Sequence, residues 1–384
     1  MAEIEQFSEP DGEHLLRLFD SVSYDADGVG LALSGGGYKA AAYHLGALIR
    51  LNELGWLPKL SRVSSVSGGS IAAGFLGLVW RKLIFAADGV ATNFDTVFVE
   101  PLGTFLTEVN LDIPQGLLGL LLPFRSAADG VAKGYDRHLF KGATLQDLPA
   151  DGEGPRFVIL ATNYELNSLW RFARPYAADY RVGMIDNPVL SLSRIVAASS
   201  AFPPFFCPIE VDFAGQTVKP VAGADRNEGD FLKRAVLADG GIYDNMGLEP
   251  IWKRYGTLLV SNAGGAFDEE HRPTDWFNLL LRVINMIHRQ AENNRQRALM
   301  MLAKTGQRKI AYWPLRNAGS AYPVPSPAQP SPEDVTRAQE EGVRLWSLGA
   351  RAYARLVNHG YSLCDSAMGS YLGSGTPPPA TLPL

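Results

Sequence analysis

One arrangement restricts the fold of this chain more than any other. A strand, a glycine turn and a helix follow one another twice in succession between residues 28 and 87. GVGLALS (28–34) is small and apolar without alternation, the pattern of a buried strand. Gly35-Gly36-Gly37 comes next. YKAAAYHLGALIRLNELG then combines strong helix formers with apolar residues at helical spacing, and Gly55 suits its C-terminal cap. LSRVSSVS (60–67) is a second short β-branched run, and GGSIAAGFLGLVWRKLIFA reads as a second helix. Tandem units of this kind predict an α/β fold built on a parallel sheet.

The pattern continues downstream. Strands are predicted at PRFVILATN (155–163), LWRFAR (169–174), RAVLADGG (234–241), YGTLLVSNAGG (255–265) and RKIAYWPL (308–315). Helices are predicted at 194–206, stopped by Pro203-Pro204, and at 274–306. In the latter, the Leu/Ile/Met pattern at 278–302 reads as a core face rather than a membrane surface. Residues 1–27 read as a lead-in and 28–318 as the main domain, with a helical insertion near 88–150. The five prolines of 319–332 predict an extended loop. Residues 333–360 read as a closing helix packed on the domain and stopped by Gly360. Residues 361–384 read as a flexible tail.

Composition narrows the function classes. The 384 residues are 46% hydrophobic and 20% charged, as in a globular protein. A net charge of −5 argues against a general nucleic-acid-binding surface. The first twenty residues lack the basic start and apolar run of a secretory signal. No apolar run reaches about 18 residues, so no membrane span is predicted. Cys207 and Cys364 match no metal or redox spacing; a disulfide stays open, with reduced thiols the simpler reading. No metal or cofactor is expected, and the expected location is cytoplasmic.

Three glycine-marked strand ends can converge on one crevice, because ligands of open parallel sheets bind at the carboxyl ends of strands. They are Ser34-Gly35-Gly36-Gly37, Ser67-Gly68-Gly69 and Asp239-Gly240-Gly241. Two serine frames compete in VSSVSGGSIAAG (63–74). Ser67 sits in Ser65-Val66-Ser67-Gly68-Gly69, a G-x-S-x-G turn with serine in the first glycine position. Ser70 keeps the first glycine, loses the second, and falls in the first turn of a helix, where capping explains it. The strand end, the glycine pair and the helix start favour Ser67, although one imperfect motif is weak. Gly35-Gly36-Gly37 exposes N–H groups at a helix N-terminus, a site for an anion or an oxyanion. Nucleotide phosphate binding is a poor rival, since neither usual glycine signature occurs there. A serine nucleophile needs a base. Asp239 is one choice, its basicity raised by apolar walls. The other is His271, which completes a Ser67, Asp239, His271 order of triad type. His44 and His288 fall within helix patterns and read as packing or surface residues.

Together SGGGYKAA (34–41), SVSGG (65–69), AASSAFPPFF (197–206) and ADGG (238–241) resemble the patatin-like phospholipase family, over roughly residues 28–265. The resemblance implies a three-layer α/β/α sandwich and a lipid acyl hydrolase of phospholipase A or lysophospholipase type. It implies a Ser67–Asp239 dyad, with Gly35, Gly36, Gly37 and Gly68 as oxyanion-hole donors. Lys39 stands where the family usually carries arginine beside the loop, and would contact the substrate. Ser65 for glycine is a second departure. The implied substrate is a phospholipid or other acyl ester, met by transient contact with a membrane surface. GLLGLLLPF (116–124) is the candidate lid, against a core role for the same leucines. Two other readings stand beside this one. One is a Ser67, His271, Asp239 esterase or thioesterase on soluble esters. The other is a non-catalytic lipid- or partner-binding module.

Overall fold

The computed structural model describes residues 23–111, 125–203, 208–264, 275–373 and 381–384. Its strands are β1 (Asp25–Leu33), β2 (Arg62–Ser65), β3 (Arg156–Asn163), β4 (Ser168–Phe172), β5 (Tyr176–Asp179), β6 (Gly183–Asp186), β7 (Ile209–Asp212), β8 (Arg234–Asp239), β9 (Tyr255–Asn262) and β10 (Lys309–Pro314). They join in one sheet of order β10-β9-β1-β2-β3-β4-β5-β6, with β8 also paired to β3 and β7 to β8. The strands from β10 to β3 run parallel. Beyond β3 every pairing is antiparallel. The parallel half is the part predicted from tandem strand–turn–helix units.

The helices are α1 (Gly37–Glu53), α2 (Gly68–Val79), α3 (Glu100–Glu108), α4 (Arg125–Tyr135), α5 (Leu192–Ser199), the single turn α6 (Gly241–Asp244), α7 (Trp276–Lys304), α8 (Pro332–Glu340) and α9 (Ala350–Leu372). Alternation along the strands divides the core into two layers. Leu31, Leu33, Val63, Phe157, Ile159, Leu259 and Ala311 face the side covered by α1, α2 and α9. Ala32, Leu258, Val260, Ile310 and Tyr312 face the other side, where Leu299 of α7 packs. The architecture is a three-layer α/β/α sandwich on a mixed sheet.

Three expectations are corrected. The closing helix is two helices, α8 and α9, and the second runs through Gly360 to Leu372. Residues 361–368 of the expected tail are therefore mostly buried helix. Gly360 is a packing residue. A methyl group there would lie 2.0 Å from the carbonyl oxygen of Tyr43, and one on Gly46 would lie 1.9 Å from that of Val357. The two glycines let the backbones of α1 and α9 touch. The helix expected at 194–206 spans only Leu192–Ser199. It starts at Ser191, whose side chain accepts from the Arg194 N–H. It ends where the N–H groups of Gly240 and Asp239 take the carbonyls of Ser199 and Ala201. The third correction concerns α7. Leu299 is buried, but Leu279, Leu280, Val283, Ile284, Met286 and Ile287 are exposed, so 278–302 is a core face only in its C-terminal half.

Cys364 is a free thiol buried in α9. Cys207 and the 116–124 segment lie outside the described residues.

The α1–α9 contact yields a stability test of unusual sign. In an open helix, Gly→Ala gains about 1 kcal/mol. Here the methyl group meets backbone, which cannot rotate away, and overpacking of this kind costs about 1–3 kcal/mol or more. Gly360→Ala is expected to lower the unfolding free energy by about 2 kcal/mol, read as a fall in the urea midpoint. A stabilised variant would contradict the packing role.

Candidate active site

The site is placed by one strand. β3 pairs with β2 along its first half, the last partners being Ser65 and Ile159. Along its second half the same edge takes β8, running the opposite way, the last partners being Asp239 and Ala161. β4 occupies the other edge. The carboxyl ends of β2 and β8 therefore meet head-on, with only Leu160 of β3 between their final partners. Each strand ends in one of the singled-out turns, and the head-on approach brings the two turns together.

Ser67 follows β2 with φ 51° and ψ −120°. This backbone state is unfavourable for a side-chain-bearing residue, by about 1–3 kcal/mol. The turn is sharp, and only glycine fits beside it: a methyl on Gly68 would lie 2.0 Å from the Gly37 carbonyl oxygen. Ser199 at the end of α5 ties the strained residue down. Its hydroxyl accepts from the Ser67 N–H at 2.9 Å and donates to the Leu160 carbonyl at 2.7 Å. Its own carbonyl accepts from the Gly240 N–H at 3.2 Å. One residue thus links both turns. Ser65, in the first glycine position, lies within the sheet between Leu33 and Ile159. Its hydroxyl is 3.1 Å from that of Ser70, which is 2.9 Å from that of Ser199. Ser65 and Ser70 therefore belong to a buried hydroxyl chain under the turn.

Asp239 is held from several sides. Its N–H donates to the Ala201 carbonyl at 2.8 Å, and its carbonyl accepts from the Thr162 hydroxyl at 2.8 Å. Its carboxylate accepts from the Gly241 N–H at 2.7 Å. Burial pushes the carboxyl up to about 7, against the lowering by the Gly241 N–H and the neighbouring Ser67 hydroxyl. Tyr135 contributes to the apolar wall. Burial, and secondarily the charge of Asp239, push its phenol up. An aromatic series runs from Tyr38 to Phe105, Tyr135 and Phe140.

The glycine loop joins the site through α1. Gly36 caps the helix and Gly37 opens it, while Gly68 opens α2. The N–H groups of Gly36, Gly37 and Gly68 have no protein acceptor among the described residues, as expected at helix starts. Gly35 differs from the expectation. Its N–H donates to the Asn245 carbonyl at 3.1 Å, which removes it from the donor set. Lys39 also departs from its predicted place. It is buried within α1 at 2% exposure, so its ammonium is not offered to a headgroup at the surface.

His44, His288 and His359 hydrogen-bond to groups of the fold. His44 is buried, and burial lowers its pKa to about 4 despite the Ser34 carbonyl bond. Its Nε2–H donates to that carbonyl at 2.9 Å, and Nδ1 lies 2.7 Å from the Ser261 hydroxyl. His288 Nε2 donates to the Gly241 carbonyl at 3.0 Å, a link from α7 to the Asp239 turn that the helix pattern did not reveal. His271 lies outside the described residues. Ser199 and Asn245 were also missed as site residues. Ser199 carried a signal, its place in AASSAFPPFF. Asn245 follows the Asp-Gly-Gly turn but acts through its backbone, which no side-chain motif reports.

Comparison with known proteins decides the family. The patatin-like phospholipase model matches residues 31–252, more than half of the chain. The chain belongs to the patatin-like phospholipase family. The matched span contains the three glycine turns of this patatin-like protein, together with Ser67 and Asp239, and excludes α7. No curated protein matches it by sequence. Among solved structures, human GIVD cytosolic phospholipase A2 aligns at a TM-score of 0.56 and 12% identity, over 91% of this chain and 60% of that one. The same human protein in complex with methyl gamma-linolenyl fluorophosphonate inhibitor and terbium chloride aligns at 0.56 and 14%, over 94% and 61%. VipD from Legionella pneumophila aligns at 0.40 and 17%, over 91% and 68%. The patatin-like chain thus spans about three fifths of the length of the human protein. At these identities the human likeness is one of fold.

Two measurements test the geometry. Ser199→Ala deletes the acceptor for the Ser67 N–H and leaves it unsatisfied, a cost of about 1–3 kcal/mol. Stability should fall by that amount, read in urea unfolding. Unchanged stability would remove Ser199 from its tethering role. Asp239→Asn should have the opposite effect on stability. The folded carboxyl, at about 7, lies above its ordinary value, so the fold holds a proton that the unfolded chain releases. That contribution is complete below the ordinary carboxylate range and is lost as pH rises through about 7. Asparagine has no such loss. The variant should melt above wild type at pH 8, and the gap should close toward pH 4.

Proposed function

We propose that the chain is a lipid acyl hydrolase of phospholipase A or lysophospholipase type, with Ser67 as nucleophile and Asp239 as base. The observation that carries this reading is the head-on meeting of the β2 and β8 carboxyl ends, which sets the Ser67 turn beside a buried carboxyl raised to about 7. A base of that strength is matched to neutral pH. Ser67 attacks the ester carbonyl while Asp239 takes its proton. The oxyanion is received by the N–H groups of Gly36, Gly37 and Gly68, at the N-termini of α1 and α2. Asp239 returns the proton to the departing alcohol. It then deprotonates a water that attacks the acyl-serine ester, and the fatty acid leaves with Ser67 restored.

The substrate class is the acyl ester of a phospholipid or related lipid, with no metal or cofactor in the chemistry. The enzyme meets it at the cytoplasmic surface of a membrane. No helix among the described residues is long and apolar enough to cross one.

Fatty acid release from phospholipid vesicles, profiled by mass spectrometry, tests the reading. Ser67→Ala and Asp239→Asn should each lower release by roughly 10³–10⁴-fold. The base must be ionised, so kcat/KM should rise with pH and reach half its plateau near pH 7. An equal loss in His271→Ala would overturn the dyad in favour of a triad. Selective turnover of short soluble esters, with no rise in rate at an interface, would indicate an esterase. A fluorophosphonate that never labels Ser67 in the folded protein would indicate a binding module.

A further inference from the structure

One peptide unit joins the glycine turn to the serine turn. It lies between Ser34 and Gly35, just past the end of β1. Its carbonyl, on Ser34, accepts from the Gly69 N–H at 3.1 Å and from His44 Nε2 at 2.9 Å. Its N–H, on Gly35, donates to the Asn245 carbonyl at 3.1 Å. Both polar atoms of the unit are therefore engaged, by three different segments. Gly69 lies in the first turn of α2, two residues after Ser67. Asn245 caps the end of α6, six residues after Asp239. His44 is a side chain of α1, the helix that the glycine turn opens.

A peptide unit is planar, so bonds to both of its polar atoms fix how it is turned. Beyond this one the chain has two residues before α1 is under way. Gly36 has φ 138° and Gly37 has φ 61°, conformations that glycine adopts readily and other residues rarely do. The same freedom leaves the pair without side chains to hold its own N–H groups in place. Their direction is set from the two ends of the turn. Helix α1 holds one end, and the Ser34–Gly35 unit holds the other.

Of the three anchors, His44 acts through its side chain. Its helical neighbours Ala40, Ala41, Ala47 and Leu48 are buried and apolar, and the ring is buried among the same layer. Burial keeps it neutral. The Ser34 carbonyl can only accept, so Nε2 carries the hydrogen and Nδ1 is left as an acceptor. The Ser261 hydroxyl lies 2.7 Å from Nδ1 and supplies the donor. Ser261 is the β9 partner of Leu33, and its carbonyl accepts from the Ser34 N–H at 3.1 Å. The Ser34 hydroxyl in turn accepts from the Ala263 N–H at 2.7 Å. The imidazole thus ties β9 to the start of the glycine turn. A leucine at this place would avoid desolvating a polar ring. What the imidazole adds is a directional bond to the turn.

We propose that His44 is a positioning residue for the oxyanion site: through the Ser34 carbonyl it holds the glycine turn in the orientation that aims the Gly36 and Gly37 N–H groups at the developing charge. The inference rests on the lipid hydrolase reading. His44 touches no substrate and takes no proton. Oxyanion donors act on charge that appears only in the transition state. A turn released at one end should therefore lower kcat and leave KM near its wild-type value.

Two substitutions separate the two ring nitrogens. The amide of His44→Gln reaches the position of Nε2 and can donate to Ser34. The amide of His44→Asn reaches only the position of Nδ1, so it keeps the Ser261 partner and releases Ser34. Hydrolysis of p-nitrophenyl butyrate, which needs the oxyanion site but no headgroup, is measured alongside urea unfolding. The kcat of His44→Gln should stay within about tenfold of wild type, and that of His44→Asn should fall by roughly 10²-fold, with KM held in both. Ser261→Ala removes the hydroxyl that fixes the tautomer. It should lower kcat by several-fold, and it replaces His44→Asn if that variant does not fold. Equal kcat in the two His44 variants would overturn the proposal, since the ring would then matter for packing alone. So would a rise in KM at constant kcat, or an unchanged kcat in Ser261→Ala. Failure of the hydrolase reading looks different: wild type would be no faster than Ser67→Ala, and the positioning role would fall with it.

Discussion

The site depends on a shared strand edge. β3 offers one edge to two partners that approach from opposite directions, β2 up to Ile159 and β8 from Ala161 onward. Neither strand can be longer without displacing the other. Their carboxyl ends must meet, and the two residues that follow or close them, Ser67 and Asp239, must share the space above Leu160. A purely parallel sheet would set its strand ends side by side. The antiparallel entry of β8 points a carboxylate directly at the neighbouring turn.

Close approach has costs that the surroundings offset. Ser67 adopts a backbone conformation that disfavours any side chain, and Asp239 is a carboxylate removed from water. Ser199 binds both turns, and Thr162 and Ala201 hold the aspartate backbone. The strain and the raised pKa are two aspects of a site that is destabilising to hold. Loosening either anchor would let the carboxylate find solvent and lose its basicity.

Coupling to α7 extends this picture to the molecular surface. The helix reaches the Asp239 turn at two points, His288 on the Gly241 carbonyl and Arg295 on Asp244. The loop between α8 and α9 reaches the glycine turn, where the Arg344 carbonyl accepts from the Tyr38 N–H at 2.8 Å. The two turns of the candidate site are thus braced by elements far away in the chain, and one of these carries the exposed apolar face.

Local pattern was enough to read much of this. Tandem strand–turn–helix units specify the parallel half of the sheet because each element and its turn are short-range. The Ser67 frame is legible for the same reason: strand end, glycine pair and helix start are adjacent residues. The strands β5, β6 and β7 were not read. They are four residues each, below the length at which alternation is informative. Gly360 was misread as a stop because the sequence does not show Tyr43 against it. The 278–302 pattern was misread as wholly buried because periodicity reports that a helix has an apolar face, not what lies opposite. By itself, then, the sequence determined the fold class and the order of the turns, and nominated the serine and the aspartate. Tertiary structure alone decided that they meet, that Gly35 is not a free donor, that Lys39 is buried and that half of α7 faces outward. Those are outcomes of which chain segments become neighbours, and they depend on contacts between residues distant in the sequence.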